Sequence, residues 1–351
     1  MQVEFEVSLA ECTSFKIGGR AALWFGVSPD SVLEAVLFAR KVGGPMLVFG
    51  GGSNLLVHES GWPGTVIHLT GPGPEACPPG RILPDSKVEV VAPGGMLWDR
   101  FVTHCVRYQW QGIECLSGIP GTVGAAPVQN IAAYGQQVSD VITSVKAADL
   151  SEGAWRTFTR GECEFGYRRS FFNRPENTDR FIITEVTFQL TRGGDPCRTH
   201  VEIAKGTGPS ATVGLVREAV LRVRNRKGGA MPSAGSFFKN PTVSLVELEH
   251  AFDAQTVIAG ANRWWWGVAE GARVSAAHLI EQSGFAKGHV RGNAGISPMH
   301  ALSLVNRGGA TATEVADLAR EIQDGVWAKF NIILEPEVRL IGFPEFPLLR
   351  P

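Results

Sequence analysis

Residues 48–57 read VFGGGSNLLV and place three glycines, Ser53 and Asn54 directly after a short apolar run. Glycine lets successive backbone N–H groups converge, which creates a binding site for an anion. The stretch is not a Walker A loop, because no Gly-Lys-Ser/Thr follows, and it lacks the third glycine of a dinucleotide fingerprint. Phosphate binding and a tight hairpin turn both remain open interpretations.

A second glycine-rich region, GIECLSGIPGTVGAAPVQNIAAYG, covers residues 112–135. Its small residues would let the backbone lie flat against a planar ligand. The alternative is a long structural loop, although loops of this length inside a compact domain usually have a function. Together the two regions indicate a large ligand that contains both a diphosphate and a ring system.

The composition is that of a globular protein with room for two or three domains. The 351 residues are 44% apolar and 19% charged, and the net charge of −1 excludes a global basic field for nucleic acid or an anionic membrane. No secretory signal and no apolar run of about 20 residues is apparent. The six cysteines form no CxxC pair, so we expect neither a metal site nor a disulfide framework in a reduced, soluble, cytoplasmic protein.

Helical and strand patterns mix irregularly along the chain, which predicts an α+β fold rather than a doubly wound sheet. Helices are predicted at 31–44, 96–109 and 213–227, after Ser275 as the capping residue, and from Thr311, capped together with Glu314, to Phe330. Strands are predicted at 45–50, 64–69, 87–94, 141–148, 181–190 and 332–342. A composition shift at 192–212 predicts a linker or lid. The predicted domains are 1–191 (two lobes, about 1–70 and 71–191), 213–342, and a tail at 343–351.

Charged groups in apolar surroundings mark two further stretches. CEFGYRRSFF (163–172) holds Arg168 and Arg169 between aromatic residues. One arginine can extend along a ring to solvent, but the pair indicates that one points inward to a carboxylate or phosphate. In the closing strand, Glu335, Glu337 and Arg339 share one face; a solvated charge ladder is slightly favoured over an acid/base group in a cleft.

The stretch SAGSFFKNP (233–241) places Ser236 between a glycine and two phenylalanines. No GxSxG elbow and no Ser/His/Asp order accompanies it, so hydrolysis by a nucleophilic serine is disfavoured. A hydroxyl in a dry pocket can instead give a proton to a developing carbanion. The alternative, favoured by composition alone, is a helix-capping or turn serine. His58, His289 and His300 lack metal-ligand spacing and are interpreted as structural or surface groups.

These stretches in their order resemble the UDP-N-acetylenolpyruvoylglucosamine reductase family, type I branch. The resemblance covers most of the chain and rests on TSFKIGG (13–19), VFGGGSNLLV, IPGTVGAAPVQNIAAYG, FGYRRSFF, SAGSFFKNP, AAHLIEQSGFAKG and LEPEVRLIG (334–342). It implies an FAD-binding fold of the p-cresol methylhydroxylase (vanillyl-alcohol oxidase-like) type and a smaller α+β substrate-binding domain.

The resemblance also implies an activity. NADPH would reduce bound FAD, and the reduced flavin would then reduce the enolpyruvyl ether of UDP-N-acetylglucosamine-enolpyruvate to UDP-N-acetylmuramate, a step of peptidoglycan precursor synthesis. The expected partners are these small molecules, without nucleic acid or membrane, and the expected state is a monomer.

The family's site residues map onto this sequence one by one. Ser236 matches the proton donor, and Arg168 and Glu337 match the other two catalytic positions. The FAD-binding positions are Gly50, Gly51, Gly52, Ser53, Asn54, Ile119, Pro120, Gly121, Thr122, Gly124, Ala125, Asn130 and Gly135. The substrate-contacting positions are Tyr167, Lys227, Asn240 and Lys287.

Two departures from the family pattern stand out. His200 occupies the place of a tyrosine that closes over the nucleotide in type I members, and the run Trp264–Trp266 belongs to no family motif; core packing is favoured for it over an exposed contact patch. Two other functions stay open: another flavoprotein of the same fold acting on a different alcohol or sugar, and a UDP-sugar-binding protein or transferase without flavin.

Overall fold

The computed structural model describes residues 1–71, 78–228, 231–261 and 263–348. Cys77, Asn262 and the end of the predicted tail lie outside these ranges. The chain divides into two compact units, each built from separate stretches of sequence. The first unit comprises 1–7, 21–52 and 63–225; the second comprises 8–20, 53–62 and 226–351. The domain boundaries suggested by the sequence remain predictions.

Strands and helices alternate without a regular repeat. The strands are β1 (Gln2–Ser8), β2 (Arg20–Val27), β3 (Met46–Phe49), β4 (Leu55–Val57), β5 (Trp62–Leu69), β6 (Gly80–Ile82), β7 (Lys87–Pro93), β8 (Trp110–Gln111), β9 (Ala132–Ala133), β10 (Gln136–Gln137), β11 (Ile142–Asp149), β12 (Ala154–Thr159), β13 (Phe181–Arg192), β14 (Thr242–Val243), β15 (Trp265–Val268), β16 (Gly271–Val274), β17 (Val290–Arg291), β18 (Ala294–Ile296), β19 (Leu304–Asn306) and β20 (Arg339–Ile341). The helices are α1 (Leu9–Cys12), α2 (Val32–Val42), α3 (Trp98–Arg107), α4 (Val201–Thr207), α5 (Val213–Gly228), α6 (Leu245–Ala251), α7 (Ala254–Gly260), α8 (Ala276–Gln282) and α9 (Ala312–Phe330).

Within the described ranges, the first unit contains two larger sheets and a two-stranded sheet of β9 and β10. One has the strand order β1-β2-β5-β3, with β3 and β5 parallel so that Phe49 pairs with His68. The other has the order β12-β11-β13-β7-β6, with β8 also pairing with β13. Helix α2 buries Val32, Ala35, Val36 and Ala39, the spacing of one helical face, in the same cluster as Phe25 and Ile67. Helix α3 contributes Trp98 and Phe101 to the core of the larger sheet.

The second unit has a core formed largely by α8, α9 and short strands. Thr311 caps α9 through a capping box with Glu314, as the sequence predicts, and Val315, Leu318, Ile322 and Val326 are all fully buried. Ser275 accepts a hydrogen bond from His278 N and caps α8, also as predicted. Its small sheets have the orders β14-β16-β15 and β17-β18-β19, and β20 pairs in parallel with β4.

One secondary-structure prediction needs correction. The closing strand is predicted over 332–342, but regular pairing is confined to β20, because Pro336 has no N–H to donate and forms an isolated bridge with Phe238 instead of continuing the strand. The segment 192–212, predicted as a linker or lid, contains the seven-residue helix α4, and its role as a linker or lid stays a prediction.

The tryptophan run is mostly packed against the core of the second unit. Trp264 stacks on His278 with ring centroids 4.5 Å apart, and Trp265 Nε1 donates to Val257 O at 2.8 Å. Trp266 is 36% exposed. Core packing, the favoured interpretation, therefore holds for Trp264 and Trp265. None of the helices in the described ranges has the length and apolar character of a membrane span.

Candidate active site

The first glycine loop lies against the second glycine-rich region within the first unit. A Cβ atom at position 51 would lie 2.7 Å from Gly121 Cα, and one at position 50 would lie 3.3 Å from Ala125 Cβ. Distances this short leave no room for a side chain at 51, so glycine is required there by backbone packing. The structure thus brings together two regions that are about 70 residues apart in sequence.

The first loop is not a hairpin turn. Strand β3 before it pairs with β5, and strand β4 after it pairs with β20. The backbone N–H groups of Gly50, Gly51 and Gly52 donate to no acceptor within the described ranges, and Gly52 has a φ of 63°. Free backbone donors in a loop with a left-handed residue are the elements of an anion nest, which fits a diphosphate.

The second loop is held by the turn between β7 and α3. Gly124 N donates to Gly94 O and Val123 N donates to Met96 O, both at 2.8 Å, while Gly121 O accepts from Trp98 N at 3.0 Å. These bonds fix the backbone beside Gly51 without using side chains. The predicted positions Thr122, Gly124 and Ala125 therefore lie together on one rigid loop, with Ile119 packed at the edge of the core.

Two of the residues predicted to bind the cofactor, Asn130 and Gly135, are in close contact with other residues of the protein. Asn130 is 3% exposed; its Nδ2 donates to Gly166 O at 3.0 Å and its Oδ1 accepts from Ser139 N at 3.1 Å. A Cβ atom on Gly135 would lie 1.9 Å from Thr199 Oγ1, which explains the glycine without a ligand. Their assignment to FAD binding stays a prediction.

Arg168 lies at the tip of a turn that its neighbours hold closely. Gly166 N donates to Arg169 O at 2.9 Å, and Arg168 itself has a left-handed φ of 52°. Asn173 Nδ2 donates to Arg168 O at 3.1 Å. The half-buried guanidinium reaches Ala132 O at 3.5 Å, so one of the two arginines does point inward, towards the second glycine-rich region. Tyr167, 39% exposed, lies beside it.

Arg224 on α5 is a residue that the sequence reasoning missed. Its guanidinium lies 5.4 Å from the centre of the Tyr134 ring, and its Nε is buried without an acceptor in the described part of the chain. Burial and the nearby positive charge of Arg168 lower the pKa of Arg224, whereas Tyr134 and Asp99 raise it. His200 also packs against Tyr134, with ring centroids 5.1 Å apart and the two rings nearly perpendicular.

An ion pair orients this part of α5. Arg217 donates two hydrogen bonds to the Asp99 carboxylate, at 2.6 and 2.8 Å, and Gly118 N donates to the same carboxylate at 2.5 Å. The hydrogen bonds and charge of Arg217 hold the pKa of Asp99 below its usual value despite burial. No pattern in the sequence indicates this pair, since the two residues are 118 positions apart.

Ser236 lies in the second unit on a segment fixed by its two phenylalanines. Phe237 and Phe238 are 0% and 1% exposed, with ring centroids 5.1 Å apart. Phe237 N donates to Leu302 O at 2.8 Å. None of the described helices begins at Ser236, and its hydroxyl makes no hydrogen bond within the described ranges. The alternative of a helix-capping serine is therefore wrong.

Glu337 lies opposite the Ser236 segment. Glu337 N donates to Phe237 O at 2.7 Å and Lys239 N donates to Glu335 O at 2.9 Å. Glu335 is exposed and forms an ion pair with Lys239, whereas Glu337 is half-buried. Asn54 Nδ2 donates to Glu337 O at 2.9 Å, so a predicted cofactor residue holds the backbone of a predicted catalytic residue.

Lys227 and Lys287, both predicted to contact substrate, lie close enough to His300 in the second unit to lower its pKa, and these two residues are called the lysine cluster below. Burial, then Lys227 and Lys287, lower the pKa of His300, whose Nδ1 accepts a hydrogen bond from Leu302 N at 3.1 Å. Lys287 also lies 3.5 Å from Glu281. Asn240 Oδ1 accepts from Ala276 N at 2.9 Å, at the start of α8. A cluster of cations and a helix start suit a diphosphate.

Comparison with known proteins assigns both parts of the chain. Residues 21–159 match a model of the FAD binding domain family, and residues 226–341 match the C-terminal domain of UDP-N-acetylenolpyruvoylglucosamine reductase. The α+β class, with an FAD-binding fold of the p-cresol methylhydroxylase type and a smaller second domain, is confirmed.

Similar proteins align along nearly the whole chain. UDP-N-acetylenolpyruvoylglucosamine reductase of Thermobifida fusca is 38% identical, with 96% of this chain and 97% of the relative covered. The Salinispora arenicola protein of the same name is 37% identical over 96% and 95% of the two chains. The crystal structure of UDP-N-acetylenolpyruvylglucosamine reductase (MurB) from Thermus caldophilus superposes with a TM-score of 0.67 at 28% identity, covering 97% and 99%. The chain therefore belongs to the UDP-N-acetylenolpyruvoylglucosamine reductase family, the FAD-dependent UDP-N-acetylmuramate dehydrogenases of peptidoglycan precursor synthesis.

Proposed function

We propose that this chain uses NADPH to reduce UDP-N-acetylglucosamine-enolpyruvate to UDP-N-acetylmuramate, with Ser236 as the proton donor. Bound FAD, once reduced, would supply the hydride to the methylene carbon of the enolpyruvyl group. The observation that carries the serine assignment is its environment: a half-buried hydroxyl without a hydrogen bond inside the described ranges, fixed by two buried phenylalanines. Such a hydroxyl is available to a substrate carbon.

Ser236 would give its proton to the carbon next to the substrate carboxylate, where negative charge develops. Phe237 and Phe238 keep the segment rigid, so the hydroxyl needs no reorganisation as the reaction proceeds. The two buried rings beside the hydroxyl would also limit competition from solvent. We assign a supporting role to Glu337, which is held at its backbone by Asn54 and Phe237 and would orient the same carboxylate.

Arg168 would bind the substrate carboxylate with its planar guanidinium. Two parallel N–H groups match a carboxylate whose charge spreads into an enolate, and a guanidinium remains protonated throughout. Support comes from its half-buried position on a turn fixed by Asn173. The common action of Arg168, Ser236 and Glu337 on one substrate rests on the family resemblance.

The remaining site residues would hold the two large ligands. The N–H groups of Gly50–Gly52, which donate to no acceptor in the described part of the chain, would suit the FAD diphosphate, with Ser53 and Asn54 completing the loop. The backbone from Ile119 to Gly135 would lie along the flavin. Lys227 and Lys287 would neutralise the diphosphate of the UDP-sugar, with Tyr167 and Asn240 as further contacts.

The test is stopped-flow measurement of the two half-reactions in Ser236→Ala. Reduction of the flavin by NADPH should keep its rate, whereas reoxidation by the enolpyruvyl substrate should slow by about 10²–10⁴-fold, the usual contribution of a positioned acid. Ser233→Ala is the matched control, because Ser233 lies in the same segment and accepts only a 3.4 Å bond from Gly235 N. Equal loss in both half-reactions would contradict the proton-donor role.

A flavoprotein of the same fold that acts on a different substrate would give a distinct result in these measurements. Such an enzyme would hold flavin but show no NADPH oxidation that depends on the enolpyruvyl substrate. Size-exclusion chromatography of the same preparation tests the expected monomer, and fractionation of the producing cells tests the expected cytoplasmic location.

A further inference from the structure

Cys115 and Cys197 lie 82 residues apart in sequence and contact each other in the first unit. The Cys115 thiol donates to Cys197 O at 3.5 Å. Cys115 is fully buried within the 3₁₀ turn Glu114–Leu116, while Cys197 is partly exposed in the segment that leads to α4. Because one thiol rests on the peptide group of the other cysteine, the two residues are close neighbours.

The backbones of both cysteines are fixed by the same small network. Glu114, 1% exposed, accepts hydrogen bonds from Cys197 N at 2.8 Å and from Gly112 N at 2.7 Å. Cys115 N donates to Gln136 Oε1 at 2.7 Å. Bonds to a buried carboxylate are strong, so the two segments stay together in the reduced protein. A bond between the two sulfurs requires their side chains to rotate into disulfide geometry.

We propose that Cys115 and Cys197 are a redox-sensitive pair that closes into a disulfide when the protein meets hydrogen peroxide. The Cys197 thiolate attacks one peroxide oxygen; an S–O bond forms, the O–O bond breaks, and hydroxide leaves and takes up a proton as water. Cys115 sulfur then attacks the Cys197 sulfenic acid; the S–S bond forms, the S–O bond breaks, and the released hydroxide takes the Cys115 proton. Two thiols lose two electrons, and peroxide gains them.

The order of attack follows from the surroundings of the two sulfurs. Cys197 is the accessible one, and its Sγ lies 3.4 Å from Thr199 Oγ1. Burial, and next the Cys197 thiol, raise the pKa of the Cys115 thiol, so little thiolate forms there. The second step should therefore be the slow one, which leaves the sulfenic acid of Cys197 open to trapping.

The disulfide would act on the region next to the glycine loops. Cys197 Sγ lies 4.0 Å from Tyr134 O, and a Cβ on Gly135 would lie 3.6 Å from the same sulfur. The bond would join the segment before α4 to the 3₁₀ turn at 114–116. This inference goes beyond the proposed function and does not depend on it.

The experiment treats the full-length holoprotein with hydrogen peroxide and alkylates the remaining thiols after denaturation. Peptide mapping by mass spectrometry should recover a Cys115–Cys197 cross-linked peptide that has lost two hydrogens and that dithiothreitol separates. The melting temperature of the oxidised protein should rise by several degrees, because the cross-link closes a long loop in the unfolded chain.

Three variants separate a specific pair from general oxidation. In Cys115→Ala, dimedone should label Cys197 and no cross-link should form. In Cys197→Ser, Cys115 should stay a thiol, because it is buried. Because this variant changes a partly exposed residue, it should fold and can test the proposal if Cys115→Ala does not fold. Cys163→Ala is the matched control, since burial raises the pKa of that thiol to about 12 and its loss should leave the cross-link unchanged.

Two results would overturn the proposal. One is oxidation of Cys197 to its sulfinic acid in the unaltered protein without any cross-link to Cys115. The other is a disulfide in which either cysteine joins a different partner in most molecules.

Discussion

The glycine loops of the first unit and the Ser236 segment of the second unit are positioned by opposite means. In the loops the backbone packs directly on the backbone, and position 51 has no room for a Cβ atom. In the Ser236 segment two large side chains, Phe237 and Phe238, anchor the backbone in the core. The first arrangement leaves N–H groups open for a phosphate; the second presents one hydroxyl from a rigid apolar base.

This difference determines which kind of substitution should disturb each region. The loops are sensitive to the gain of a side chain at position 51, because a Cβ there would push the two backbone segments apart. The serine segment is sensitive to the loss of side-chain volume, because its position depends on filled core space.

The largest effect should come from removing the anchor of the serine segment. Phe237→Ala deletes a fully buried ring and should lower the free energy of unfolding by about 3–5 kcal/mol. Chemical denaturation measures the loss. Phe346→Ala is the matched control, because that ring is 43% exposed, and its cost should be well below that of Phe237→Ala. Equal costs would mean that the phenylalanine core does not fix Ser236.

The next effect should come from adding a side chain to the glycine loop. Gly51→Val places a Cβ 2.7 Å from Gly121 Cα, and the resulting shift should weaken FAD binding by about tenfold to a hundredfold. Fluorescence titration of the apoprotein with FAD measures the change. Gly161→Val serves as the control, since no atom lies within 4 Å of a Cβ at that position. Unchanged FAD affinity in Gly51→Val would contradict the proposal that close packing of Gly51 against Gly121 shapes the binding site.

A smaller effect should follow from the bond between Asn54 and Glu337. Asn54→Ala removes the 2.9 Å hydrogen bond to Glu337 O, which is worth about 1 kcal/mol. The rate of flavin reoxidation by substrate should fall about fivefold. Asn54→Asp, which places an acceptor against the carbonyl, should do at least as much harm. A variant as active as the parent protein would show that Glu337 is positioned without Asn54.

The smallest effect concerns pH and the lysine cluster. The pKa of His300 is lowered in the folded state, so the unfolded chain takes up a proton first as the pH falls. Stability from this group is complete above about pH 6.5 and declines as the pH falls below it. Denaturation at several pH values measures the slope of the unfolding free energy against pH. Burial also lowers the pKa values of His104 and His278, so both residues contribute to this slope with the same sign.

His300→Asn isolates the contribution of His300. The asparagine oxygen can still accept from Leu302 N but does not titrate, so the slope below about pH 6.5 should become shallower. An unchanged slope would assign the pH dependence to the other groups.

Much of the fold could be predicted from local patterns. Helix α9 carries its capping box and a buried face at helical spacing, and the β3 strand is a short apolar run before glycines. The closing strand was harder, because alternation predicts which side chains face the core but not where Pro336 interrupts pairing. The ion pair of Asp99 with Arg217 and the placement of Arg224 could not be predicted, since the partners are far apart in sequence.

The sequence by itself determined the residue types of the site and their order: glycine loops, paired arginines, a serine before two phenylalanines, and the glutamate of the closing strand. Local patterning and turn chemistry are enough for this, because they act over a few residues. Only the tertiary structure decided which groups meet: Gly51 against Gly121, Glu337 beside Phe237 and Asn54, and Cys115 against Cys197. Those contacts depend on long-range strand pairing and core packing, whose partners no local pattern specifies.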